Sequence, residues 1–426
     1  MKKSVQFSLL LLAVVGIVGW ELLNFVRVET QRVPQSVPSG ASNLDSYDQL
    51  FPYSAELCAV TQWTKKGQPP GGETGHMFTI LRGVCRDTSS PYPKIKMCDT
   101  SNTVGISVDL GFKNVNWVAT EDADFVLTGG LPQNATLDQA AYDRALQHVL
   151  DEHVFQNVQF QERIIKNKPK GMSDERFIAD YGLSTHYAVN FARNSYCARV
   201  PMNKQMMEKS VDFLNKKNHY YFVEKHEYVW DLVRDNCTTL AHNILAAAGV
   251  WSFKNPKGNI LDSLNEAAIP ANEFIGTVEL NKLFDLTDVA DLYQGTLLRP
   301  SFLDNRWLES QPGIMVRTVP IHSYDNQIFD VQSIIETIDY PLFDPLHSSF
   351  AEDLKAPHYI DLKQNLLWYR DRYQHALDSQ REVSSYGRTR QDANLNSEAF
   401  RKFYSQYYDY IHSQIKWVDA ALQKAQ

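Results

Sequence analysis

Tyr228-Val-Trp-Asp-Leu-Val-Arg-Asp-Asn-Cys237-Thr-Thr-Leu-Ala-His-Asn-Ile-Leu-Ala-Ala-Ala-Gly249 is the stretch on which the reading of this chain turns. From Thr238 to Ala248 it reads as a helix. Leu240, Ile244, Leu245 and Ala248 recur at helical spacing, and Gly249 stands where a C-terminal cap belongs. Asp235 or Asn236 supplies the N-cap. Cys237 then falls in the first turn, where unpaired N–H groups and the helix dipole favour an anion. A thiol so placed is expected to have a lowered pKa and to act as a nucleophile. The same position also suits an inert, half-apolar core cysteine.

The chain has 426 residues, room for two or three domains. Its 43% hydrophobic and 22% charged residues are a globular composition with material for a sizeable core. A formal charge of −8 leaves no electrostatic footprint for nucleic acid, and no nucleic-acid partner is expected. The 21 Tyr and 21 Phe suit large cores and amphipathic surfaces without naming a substrate.

The first 26 residues read as a targeting segment. Lys2 and Lys3 precede an apolar run from Val5 to Trp20, and its exit, Gly19-Trp20-Glu21, lacks the small residues of a cleavage site. We therefore expect an uncleaved signal-anchor, near the short limit of a spanning helix. The positive start keeps that end in the cytoplasm and puts the body outside. Residues 27–44, with Pro34, Ser36, Pro38, Ser39 and Gly40, read as a flexible tether. In a bacterium this is a periplasmic body tied to the inner membrane.

Outside the cytoplasm disulfides persist. The five cysteines are Cys58, Cys85, Cys98, Cys197 and Cys237. Cys85 and Cys98 flank a Pro-rich loop and can bridge a hairpin-like excursion, and Cys58 with Cys197 can form a second bridge. Four cysteines allow three pairings, so the connectivity stays open. An odd count leaves one thiol over, and Cys237 has the context for it. No Cys/His spacing matches a zinc site, and the reading invokes neither metal nor cofactor.

Residues 45–255 read as an α+β block. His76 to Leu81 is a strand opened by Gly75. Thr103 to Val108, Asn114 to Ala119 and Phe125 to Thr128 are further short strands. Asp138 to His153 and Met202 to Lys217 are helices, and Tyr187 to Phe191 is strand-like. Residues 256–350 are a mixed α/β region, with a strand at Gly313 to Val319. Residues 351–426 form a long helical hairpin, Ala356 to Val383 and Asn396 to Leu422, each with an aromatic stripe of the kind that usually packs.

A cysteine nucleophile needs a base and a group that orients the base. His76, at a strand start after a Gly-rich turn, is the first candidate base, although a lone histidine there also suits a structural role. His186 is the second. His242 lies five residues along the Cys237 helix, is turned away from the thiol, and reads as structural. Asp99, Asp109, Asn114 and Asn116 lie near the following strands, and Asn116 is taken as the orienting group. The Cys237 N–H with an Asn236 donor makes an oxyanion hole at the helix start. Asn236 serves equally well as a cap.

Gly75-His76 opening a strand, Phe112-Lys-Asn-Val-Asn-Trp-Val-Ala119, Tyr196-Cys-Ala-Arg-Val-Pro201 and Asp235-Asn-Cys-Thr-Thr239 occur in that order. Together they resemble the Lnb N-terminal periplasmic domain family over residues 50–255. The resemblance implies a permuted papain-like (NlpC-like) core with histidine before cysteine, Cys237 as the acyl-accepting thiol and His76 as its base. Some bacterial members are associated with lipoprotein N-acylation. The expectation is a membrane-tethered cysteine-dependent acyltransferase or acyl hydrolase acting on a lipoprotein or lipid. A cell-wall peptide amidase or endopeptidase, and a non-catalytic envelope scaffold, are the alternatives.

Overall fold

The computed structural model describes residues 27–32, 44–61, 64–65, 75–131, 136–185, 194–231, 235–251, 269–279, 286–295, 298–306, 308, 311–319, 329–330, 334–339, 354–387 and 393–424. Within them the protein is α+β. Helix α1 (Leu44–Leu50) leads into β1 (Tyr53–Val60). Strands β2 (His76–Arg82), β3 (Thr103–Ser107), β4 (Val118–Glu121), β5 (Ser195–Met202) and β6 (Met315–Val319) complete one sheet. Its order is β6-β5-β1-β2-β3-β4, and every pair is antiparallel.

Strand β1 is central and buried nearly end to end, so it reads as an apolar run and not as an alternation. One face carries Leu57, Met77, Leu81 and Val200 into the main core, beneath helices α3 (Lys204–Phe222), α4 (Cys237–Ala248) and α5 (Pro270–Glu279). The other face carries Cys58, Val60, Phe78, Ile80 and Cys197, covered by helix α2 (Ala123–Thr128). Cys58 and Cys197 stand directly opposite each other in the β1–β5 register and are disulfide-bonded, as are Cys85 and Cys98.

A sheltered charge cluster, with Glu56 buried at its centre, ties four strands. Arg317 of β6 holds Glu56 of β1 with Nε at 2.5 Å and Nη2 at 2.8 Å. Arg199 of β5 pairs with the same carboxylate at 3.4 Å and with Asp48 at 3.3 Å, and Asp48 also binds Arg82. The 255/256 division read from sequence is therefore crossed by the sheet itself: β6 is an edge strand of it, and α5 packs on β1 and β5.

The C-terminal segment contains helices α6 (Leu362–Asp378) and α7 (Glu398–Lys424), packed on each other through Leu366, Tyr373, Phe403, Tyr407 and Ile411. Asn365 ties α6 to the entrance of β6, accepting from Gly313 N–H and donating to Ile314 O. Tyr47 of α1 donates to Gly313 O.

Several local expectations differ. Residues 114–117 are loop, because the N–H groups of Asn116 and Trp117 donate to the Asn218 side chain of α3 instead of a strand ladder. Phe125–Thr128 is helical, the usual ambiguity of a short apolar run. Residues 27–44, read as a tether, include a strand, Arg27–Arg32, paired antiparallel with Ile334–Asp339. The expected anchor, residues 1–26, and the strand-like Tyr187 to Phe191 lie outside the described residues. Among the described residues no helix is long and apolar enough to cross a membrane.

Burial pushes the Glu56 carboxyl up, but Arg199 and Arg317 outweigh it and hold it below its ordinary value. A depressed carboxyl contributes stability above its unfolded pKa of about 4.3 and loses it as pH falls towards the folded value. Glu56→Gln should lose about 3 kcal/mol at neutral pH, because two buried guanidinium groups lose their anion. Its stability should also fall less than that of the wild type below pH ~4 in urea titrations. Parallel pH curves would rule this out.

Candidate active site

Helix α4 begins as its sequence dictates. Asn236 is the N-cap, in extended backbone, with Oδ1 accepting from Thr239 N–H at 2.9 Å. Gly249 closes the helix in the left-handed region at φ 90°, its N–H returned to Leu245 and Ala246 carbonyls. Asp235 is not the cap. Its carboxylate takes Lys217 Nζ at 2.9 Å, Tyr221 OH at 3.1 Å and Asn116 Nδ2 at 3.3 Å. Tyr228 OH donates to Asp235 O at 3.0 Å. Burial and the nearby Asp235 both push the Tyr221 and Tyr228 hydroxyls up, so both remain protonated donors.

Cys237 is the one free cysteine. Its sulfur lies 4.0 Å from Thr238 Oγ1, and the backbone amides of Met77, Thr238 and Cys237 act to lower its pKa. Met77 follows His76 in β2, and α4 packs on that strand. The pairing of β2 with β3 runs from Arg82↔Thr103 only as far as Thr79↔Ile106, which leaves the start of β2 outside that ladder.

His76 is buried, and its Nε2 is 3.1 Å from Ser107 Oγ on the neighbouring strand. By register His76 and Ser107 are diagonal neighbours on the Phe78 face of the sheet, whereas the body of α4 packs on the Met77 face. The His76 imidazole thus lies on the sheet face opposite the one that α4 covers. Gly75 makes this possible. It sits at φ +77°, and a Cβ there would come within 2.4 Å of Val60 O.

Three expectations need correction. Burial raises the Cys237 thiol above its ordinary value, outweighing the Met77, Thr238 and Cys237 donors that lower it, so helix position alone does not yield a thiolate. Asn116 does not orient His76: its Nδ2 is spent on Asp235. Ser107 has that position instead. Nothing local in the sequence marks it, because its role follows from strand register. Asp235 forms part of an ion pair and no oxyanion hole. His186 lies outside the described residues. His242 is indeed turned away, with Nδ1 3.1 Å from Glu273 and its ring stacked on Trp251. The four remaining cysteines are in the two bridges.

Comparison with protein-family models, with curated proteins and with solved structures gives no match.

With the bridges intact, thiol chemistry on the native protein reports Cys237 alone. Its iodoacetamide alkylation should show a midpoint above the ~8.5 of a free thiol. A midpoint below pH ~7 would contradict the dominance of burial. Asn236→Ala should cost about 1 kcal/mol in thermal unfolding by leaving the Thr239 N–H without its cap.

Proposed function

We propose that this protein is a membrane-tethered, periplasmic, cysteine-dependent acyltransferase or acyl hydrolase on a permuted papain-like core. The observation that carries the reading is the one thiol left out of both bridges, at the mouth of a helix packed on the strand that the buried His76 opens. The resemblance to the Lnb N-terminal periplasmic domain family supports it, as does the apolar run from Val5 to Trp20. A lipid or lipoprotein donor suits a protein held at the membrane surface.

The chemistry follows from the resting thiol being neutral. Cys237 needs a base at the moment of attack, not a standing thiolate–imidazolium pair. His76 takes the proton as the Cys237 sulfur adds to an ester or amide carbonyl. The carbonyl electron pair moves to oxygen, where N–H groups at the start of α4 stabilise it. Collapse breaks the bond to the leaving group, which receives the proton from His76, and leaves a thioester on Cys237. An amine or water then attacks the thioester, giving up a proton to His76, and the thiol is restored.

Mass spectrometry of protein incubated with phospholipid or an activated acyl ester should find an acyl adduct on Cys237, absent in Cys237→Ser and lost in His76→Ala. Ser107→Ala should lower kcat about tenfold with KM unchanged, as loss of one orienting hydrogen bond. A Cys237 that stays unmodified until the protein is denatured would instead support a scaffold.

A further inference from the structure

Three side chains converge on the carboxylate of Asp235, two residues before Cys237. Lys217 Nζ and Asn116 Nδ2 share Oδ1, and Tyr221 OH takes Oδ2. Lys217 and Tyr221 lie one helical turn apart on α3, so one face of that helix grips the approach to α4. Both members of the ion pair are largely sheltered, with side-chain exposures of 16% and 15%, so water screens them poorly. Asp231 adds a backbone clasp, exchanging two 3.2 Å hydrogen bonds with Asp235.

A lone carboxylate here would face the wrong way electrostatically. It would oppose negative charge on the sulfur and on any oxyanion at the same helix start. We infer that Lys217 is a positioning residue of this site: by pairing with Asp235 it cancels that charge and keeps the mouth of α4 receptive to an anion. The inference rests on Cys237 being the nucleophile of the proposed reaction. The titratable groups about this mouth are Lys217 and Tyr221 from α3, Tyr228, Asp231 and Asp235 from the loop, His76 from β2, and Asp109 beyond β3.

The test is the pH dependence of alkylation of Cys237 by iodoacetamide in the full-length, disulfide-intact protein. Lys217→Met leaves Asp235 unpaired and should raise the midpoint by about one pH unit. Asp235→Asn leaves Lys217 unpaired and should lower it by a similar amount. Lys217→Arg should restore the wild-type midpoint, and the double variant Lys217→Met/Asp235→Asn should return close to it. If Lys217→Met does not fold, Lys217→Gln keeps a donor without the charge and should still shift the midpoint upward. A purely structural clasp would instead move both single variants the same way or neither, and either result overturns the proposal. The readout is the sulfur and not turnover, so it fails separately from the acyl-adduct experiment that tests the function.

Discussion

The site depends on one unpaired strand edge. In an antiparallel sheet each interior N–H is used by a neighbour. Here the β2–β3 ladder starts at Thr79, so the Met77 amide is available to the sulfur of Cys237. At this edge the helix that begins with Cys237 packs on the strand that His76 opens. Everything around it holds this junction in place. Gly75 turns the chain so that His76 can open the strand, Asn236 caps the helix, and the apolar side of α4 is buried on the Met77 face.

The balance of forces on the sulfur decides the kind of chemistry. Helix amides and the Met77 amide favour the anion, while removal from water disfavours it, and the second effect is larger. In the proposed reaction a thiol tuned this way is quiet until a base takes its proton. In the proposed periplasmic setting such restraint would keep the thiol from exchange with the two disulfides. Ser107 is a weaker partner for an imidazole than a carboxylate would be. Its hydroxyl meets the ring at Nε2.

Much of this was legible in the sequence, for identifiable reasons. The Cys237 helix announced itself by periodicity, a capping Asn236 and a terminal Gly249, all local signals. The long C-terminal helices carried aromatic stripes at the same period. What depended on non-local pairing was hidden. Ser107 meets His76 only through the register of two strands, and Asn116 joins Asp235 only because the Asn218 side chain takes its backbone out of a ladder. The sheet likewise reaches across residue 255: β6 enters it from far along the chain, where Arg317 pairs with Glu56, and no window of sequence contains both. The sign of the Cys237 shift was missed because helix position is local and burial is not.

The most direct measurement is the infrared S–H stretch of the native, disulfide-bonded protein, in which Cys237 is the single source of the band. At neutral pH the account requires the band to be present, absent from Cys237→Ser, and lost when an acyl donor converts the thiol to a thioester. A missing band in the resting protein would mean a standing thiolate, and a band unchanged by every acyl donor would mean that this sulfur is not a nucleophile.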